Sequence, residues 1–428
     1  MISTFALLSI LVVTGALFSL LSYRVLRLPS TIGTMILSLC AAAALAAGGH
    51  AAPGLHAWAA RLVGGIDFNQ VVLHGMLAFL LFAGALQLDL SLLWRERVPV
   101  LALSVGATAL STVIVAALFR WSLLGLGVTL SVTGALLFGA LISPTDPIAI
   151  LEMLKRAGVP AELEAQLAGE SLFNDGVGAV LFLALVGASA GSGLPSAGTF
   201  GVLLLIQAGG GIALGVGLGY LTYRLIRLVN SYRVEVLLTL AVAMGGYALA
   251  DAIHVSAPLE AVAAGLLVSG RAKRFAMSNE TKRNLERFWE LLDDILNVVL
   301  FLLLGLQLLV LPMTRIYVAA GLIAVPLVLL ARLASVSATV GGLAVVRKRT
   351  HGSILVLTWG GLRGALAVAL ALSIPRAVGH ERDLLIVATY VVVVFSIVVQ
   401  GLTISRLLRR LGLEAASPAA DEARPVTS

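Results

Sequence analysis

"GESLFNDGVGAVLF" (169–182) puts Glu170, Asn174 and Asp175 within six residues, inside a run that is otherwise apolar. The surrounding composition says what kind of place this is. Hydrophobic residues make up 59% of the 428 and charged residues only 12%, about half the charge a water-soluble domain carries, roughly 25%. The chain is therefore an integral membrane protein. Its apolar runs are roughly 20 residues long, the length at which a helix crosses a hydrocarbon core about 30 Å thick. Barrel strands would be shorter and alternating, so the fold class is all-α and polytopic. The quoted carboxylates then lie where water is scarce, and such residues are functional candidates by default.

Reading outward from 169–182 gives about thirteen transmembrane helices by the hydrophobic-run criterion. The basic residues test that number independently. Clusters at Arg24/Arg27, Arg95/Arg97, Lys155/Arg156, Arg224/Arg227/Arg233, 271–287, 347–349 and 406–410 alternate with loops carrying only Arg61, Arg120, Arg315, Arg376 and Arg382. This alternation predicts an odd number of spans, the N-terminus outside and the C-terminus in the cytoplasm. The net charge of +7 is thus a topology signal, and no nucleic-acid partner is expected. The first apolar run is followed, not preceded, by arginines and reads as an anchor helix rather than a leader. Residues 1–411 form one membrane domain on this reading, and 412–428 a short disordered cytoplasmic tail. One cysteine and six scattered histidines offer no resident metal cluster, and no cofactor is expected.

Two spans break their own pattern. In "GALISPTDPIAI" (139–150) Pro144 and Pro147 flank Asp146. Neither proline can donate a backbone hydrogen bond, so the carbonyls of Ala140 and Ser143 lose their helical partners. In "LTWGGLRGALAVAL" (357–370) Gly360, Gly361 and Gly364 surround Arg363. These are the fifth and twelfth runs, seven apart, which predicts two inverted repeats with a pair of discontinuous crossing helices and a site between them. An acid at one break and a base at the other complement the facing half-helix dipoles.

On a helix Ser171 and Asp175 share a face, whereas Glu170 and Asp175 are about 140° apart. One face can offer a cation a hydroxyl and a carboxylate, hard oxygen ligands suited to a small alkali ion. The other can place Glu170 against a buried cation, and Arg363 is the partner expected from the sequence, with Arg332 and Asp294 read as nearer span ends. Asp175, with Asp146 as a second negative charge, must hold either a proton or a metal cation to stay in the membrane interior. A channel or an intramembrane hydrolase could also use buried acids. A channel needs no titrating ligand, however, and no His or Lys lies near Ser171 in sequence to activate it, so no enzyme activity is expected.

At these residues the chain resembles the monovalent cation:proton antiporters, the NhaP-type and NHE-type sodium/proton exchangers. "ISPTDPIA" (142–149), "GESLFNDGVGAVLF", "FWELLDDILNVVLFLLLGLQL" (288–308) and "GGLRGALAVALALS" (360–373) occur in the family's order. The resemblance implies a homodimer in the cell membrane, with Asp175 carrying the ion or proton beside Asn174. It implies that Ser171, Asp146 and Thr145 complete the site for transported Na⁺, and that Glu170 pairs with Arg363. An Asn-Asp pair goes with electroneutral exchange of one cytoplasmic cation for one external proton. Potassium/proton exchange is the alternative, and Na⁺ versus K⁺ or Li⁺ preference stays open. Two positions depart from the family pattern: Ala83 stands where many relatives have Glu, and Glu260 is an acid at a normally apolar position.

Overall fold

A computed structural model describes residues 4–48, 53–146, 151, 154, 157–189, 197–343 and 352–413. Ten helices in it are long and apolar enough to cross a membrane. We label them with the shorter helices of the same series. They are α1 Phe5–Leu26, α2 Ser30–Ala47, α3 Gln70–Gln87, α4 Arg97–Leu124, α6 Ala161–Gly187, α7 Gly201–Ile226, α8 Tyr232–Ala252, α10 Asn279–Leu309, α11 Arg315–Leu343 and α13 His380–Arg410. The expected twelfth run forms α12, broken into Ser353–Gly360 and Ala365–Leu372 with a 45° bend between the halves. That leaves α5 Val132–Ile142 and α9 Ala257–Leu267, each 11 residues. At 1.5 Å rise per residue neither crosses about 30 Å unaided. Helical backbone carries α9 on to Phe275, while α5 ends at Ile142 and is followed by non-helical backbone to Asp146, where the described stretch stops. Pro147 lies outside the described residues, as does the expected tail from Glu414 onward.

Burial sorts the helices by environment. In α1 and α7 only 17% and 11% of the apolar window is covered by protein, against 67% in α6 and 72% in α13. Phe5, Val13, Leu205 and Ile206 lie more than half exposed on the two outer helices, which water would penalise and lipid tails do not. The centre is therefore α6 and α13, with α5, α11 and α12 against them. One continuous core of Phe119, Phe138, Leu141, Phe301, Leu357 and Val393 joins these elements.

The two breaks meet. The amide of Asp146 donates to the carbonyl of Leu362 at 2.7 Å, so the loop after α5 hydrogen-bonds to the gap in α12. Irregular backbone at this depth persists only where protein or a wet cavity satisfies its polar groups, and each break here does that for the other.

Candidate functional site

Start with the carbonyls that the prolines strand. Ser143 O would pair with the amide of residue 147, which is a proline and has none. Arg363 supplies the missing donor: its Nη1 reaches Ser143 O at 2.5 Å and Pro144 O at 2.9 Å. The guanidinium is 2% exposed and sits at the C-terminal, negative end of α5, where a cation is favoured. Its own amide donates to Ser396 Oγ at 2.9 Å, and that hydroxyl donates to Gln400 Oε1 at 2.6 Å, so α13 holds the gap of α12 in place. Asp146 takes the complementary position. A Cβ built on Gly364 would lie 2.1 Å from Asp146 Oδ2, which puts the carboxylate against the N-terminal, positive start of the second half of α12. Only glycine permits that approach.

The middle of α6 packs on the same loop. Asn174 Nδ2 donates to Thr145 Oγ1 at 2.9 Å, Asn174 Oδ1 accepts from the Thr145 amide at 3.3 Å, and Ser171 Oγ donates to Thr145 O. Asn174 and Thr145 are thus committed to each other, fully buried or nearly so.

Glu170 is where the structure overturns the sequence reading. Its partner is Arg332 on α11, not Arg363: Nη1 donates to Oε1, and Nη2 to Oε2 at 2.8 Å. Nη2 also reaches Leu357 O at 3.0 Å. The pair is bidentate, which fixes geometry as well as charge. It is sealed, with 0% of Glu170 and 2% of Arg332 exposed. Arg363 is occupied by the carbonyls of the α5 break instead. The signal for Arg332 was available. It is the eighteenth residue of the 29 in α11, hence mid-span, and a basic residue there needs a buried anion.

Asp175, on the other face of α6, lines a cavity of about 340 Å³ together with Ser171 and Asp146. Glu164, Glu290, Asp293 and Asp294 line it too, and its described walls include no Lys or Arg. The sequence reading placed Asp294 nearer a span end and passed over Glu290 and Asp293, although Glu290, Asp293, Asp294 and Asn297 follow the i, i+3, i+4, i+7 spacing of one helix face. Of the five residues expected to bind the ion, Asp175, Asp146 and Ser171 face this space. Asn174 and Thr145 stand behind its wall.

A cavity beside two broken helices, walled by carboxylates and backed by a sealed ion pair, has the make-up that cation sites of transporters share. The sequence pattern described as "Sodium/hydrogen exchanger, transmembrane" matches residues 9–410. The chain belongs to that family. It is 42% identical over 406 residues to the Na(+)/H(+) antiporter NhaP of Pseudomonas aeruginosa, covering 92% of this chain and 94% of that one. It is 34% identical over 357 residues to the Na(+)/H(+) antiporter NhaH of Halobacillus dabanensis, covering 81% and 84%. Among solved structures, the sodium proton antiporter MjNhaP1 from Methanocaldococcus jannaschii superposes with a TM-score of 0.70 over 92% of this chain and 97% of that one, at 21% identity. That likeness bears on the fold. Family membership and the polar constellation together make a multi-pass membrane exchanger of this chain.

Proposed function

We propose that the chain is a sodium/proton antiporter in which Asp175 carries either Na⁺ or H⁺, with Asp146 and Ser171 completing the cation's oxygen shell. The observation that carries this reading is the shared cavity. It offers two carboxylates and a hydroxyl at the breaks of α5 and α12, and its described lining holds no basic side chain. A bare carboxylate is costly so far from bulk water. Asp175 therefore exchanges one occupant for the other, and the charge it moves is the same with each.

Glu170 does not take part in the exchange, because Arg332 occupies both of its oxygens. With that pair self-neutral, Asp175 is the one acid left in the middle of α6, beyond Glu162 and Glu164 of its first turn, and exchange is one for one and electroneutral. Asn174 and Thr145 position the break, and Arg363 holds the carbonyl of Ser143, which Pro147 leaves open, together with that of Pro144. The acids of α10, with Glu164, keep cations concentrated at the cavity mouth by long-range attraction.

In the membrane the basic clusters put the C-terminus in the cytoplasm and the N-terminus outside. The cavity mouth, near Glu164 and Glu290, then opens inward, and the structure corresponds to an inward-facing state that exports Na⁺ against entering H⁺. The cell membrane is the expected location and a homodimer the expected assembly.

The test is transport by purified protein in liposomes. Asp175→Asn, which keeps shape but neither binds a proton nor carries charge, loses Na⁺-dependent proton flux while remaining monodisperse. Flux that persists in that variant, with its cation dependence intact, would overturn the assignment. Running K⁺ and Li⁺ gradients beside Na⁺ decides the cation, and repeating the assay under an imposed membrane potential decides electroneutrality.

A further inference from the structure

Glu260 has no part in the site described above, yet it is among the most buried acids in the chain, at 0% exposure. Neither carboxylate oxygen meets a hydrogen-bond partner among the described residues. It stands in the first turn of α9, but the turn's leading donors are taken. The amide of Glu260 bonds to Ser256 O at 3.0 Å, and Ser256 Oγ caps the amide of Leu259 at 3.5 Å. The carboxyl instead enters a slot on α8, where a Cβ on Gly246 would lie 2.1 Å from its Oε1. On the other flank the backbone of α7 closes in, and a Cβ on Gly215 would lie 2.3 Å from the carbonyl oxygen of Glu260. An ionised carboxylate cannot occupy such a place without a donor. The neutral acid can.

The preceding residue gives that protonation a mechanical reading. Leu259 lies 100° round α9 and packs on α6 at Gly176, where a Cβ would meet Leu259 Cγ at 2.3 Å. Gly176 follows Asp175 directly. One short helix thus presses a leucine beside the ion-carrying acid and, a third of a turn away, lodges an acid between α7 and α8.

We propose that Glu260 is a second proton-binding site, separate from Asp175, whose proton keeps α9 in the seat that presses Leu259 onto Gly176. Loss of that proton drives the carboxylate out of its slot toward water and loosens the Leu259 contact. The route for the proton lies along α8. Tyr247, next to Gly246, interacts electrostatically with both Glu260 and Asp251, and its hydroxyl donates to Leu73 O at 2.7 Å. Asp251 lies 3.9 Å from His74, and both side chains are more than half exposed. Those are the titratable groups nearest Glu260 on α8 and α3. The helix Leu77–Gln87 within α3 has none, α7 has none before Tyr220, and α6 brings only Asp175 to the Leu259 contact.

The inference stands on α9 packing and needs no transport to be tested. Infrared difference spectra between acid and alkaline pH are recorded on liposome-embedded Asp175→Asn protein, from which the transport carboxylate is gone. We expect a protonated-carboxyl band that disappears as pH rises, and its loss in the Asp175→Asn/Glu260→Gln protein. Identical spectra from the two proteins would overturn the proposal. Gly246→Ala on the Asp175→Asn background is the second arm. Its methyl displaces the carboxyl toward solvent, so the same band titrates at lower pH, and an unmoved band would equally overturn it. In otherwise unaltered protein, Glu260→Gln flattens the alkaline limb of the exchange-versus-pH profile. A limb that overlays the parent's counts against the coupling to Leu259. Should Asp175→Asn still exchange, the transport reading fails while the infrared result for Glu260 remains decisive.

Discussion

Arg332→Leu is the substitution whose effect the structure fixes most sharply. It strips both oxygens of Glu170 of their donors and frees the carbonyl of Leu357, leaving a carboxylate at 0% exposure. Removing one partner of a buried pair costs about 3–5 kcal/mol, because the other charge stays behind without solvent or counter-ion. Glu170 limits the damage by taking up a proton, so the lower half of that range is expected near neutral pH. Removing both charges is a different perturbation. Two well-packed apolar residues avoid the desolvation penalty altogether, and Glu170→Leu/Arg332→Leu should fall within about 1–2 kcal/mol of the parent. The difference between the summed single variants, each about 3 kcal/mol or more, and the double variant is then at least about 4 kcal/mol of coupling, well outside the error of additivity. The assay is the apparent melting temperature of detergent-solubilised protein, followed by the monodisperse fraction after heating. The single variants melt several degrees below the parent and the double variant recovers most of the loss. Glu170→Leu combined with Arg363→Leu serves as control and shows no such recovery. If Arg332→Leu melted with the parent, or if Arg363→Leu rescued Glu170→Leu instead, the pairing argument would be wrong.

Other outcomes follow from the same geometry. Lowering pH raises the apparent KM for Na⁺ by about tenfold per unit once Asp175 is mostly protonated, because one proton competes with one cation; stopped-flow exchange at graded Na⁺ concentrations measures it. Gly364→Ala puts a methyl 2.1 Å from Asp146 Oδ2 and so displaces that carboxylate. Exchange should fall by an order of magnitude or more on a flux assay, of the size that misplacing a liganding group by about 1 Å produces, with little change in melting temperature. At the membrane surface, Asp89 caps the helix Leu90–Arg95 by accepting from Ser91 and Leu92. The hydroxyl of Ser91 first, then its amide, holds the carboxyl below its ordinary range. Because the folded value is the lower one, the cap stabilises above the ordinary carboxylate range and loses its effect as pH falls through the lowered value. Asp89→Ala should cost about 1 kcal/mol at neutral pH and less in acid, read from melting temperature against pH.

Helix positions, the two breaks and their meeting were readable from the chain because each rests on local chemistry. A run of apolar residues must be a helix in lipid, and prolines at 144 and 147 must interrupt one wherever they fall. The face assignment of α6 was equally local, since 140° between Glu170 and Asp175 follows from helix pitch alone. What each face meets is not local. Two arginines were available to Glu170, and choosing between them requires knowing that Arg363 is claimed by Ser143 O and Pro144 O, a contact spanning some 220 positions. The prolines create the unpaired carbonyls, the carbonyls capture Arg363, and only then is Glu170 left to Arg332. The role of Arg363 was thus implicit in Pro147, through a bond that the proline cannot make.

That chain of causes also limits how the site can have been built. Arg332 must carry a mate, and Glu170 supplies it without drawing on the cavity. Asp175 is thereby left with no permanent counter-charge on α6, which is the condition for exchanging ligands. Had Arg363 taken Glu170, the broken end of α5 would have lacked a donor and Asp146 would have faced a different field. Two basic residues, one for the backbone and one for the structural acid, are what allow a third group to remain uncommitted in the membrane. An arginine moved one helical turn along α11, as in Arg332→Leu/Val328→Arg, cannot serve Glu170 in the same bidentate way. We expect such a protein to lose stability as the single variant does, even with its net charge restored. Recovery of the parent's melting temperature in that protein would mean that charge balance, and not the geometry of the pair, holds α6 against α11.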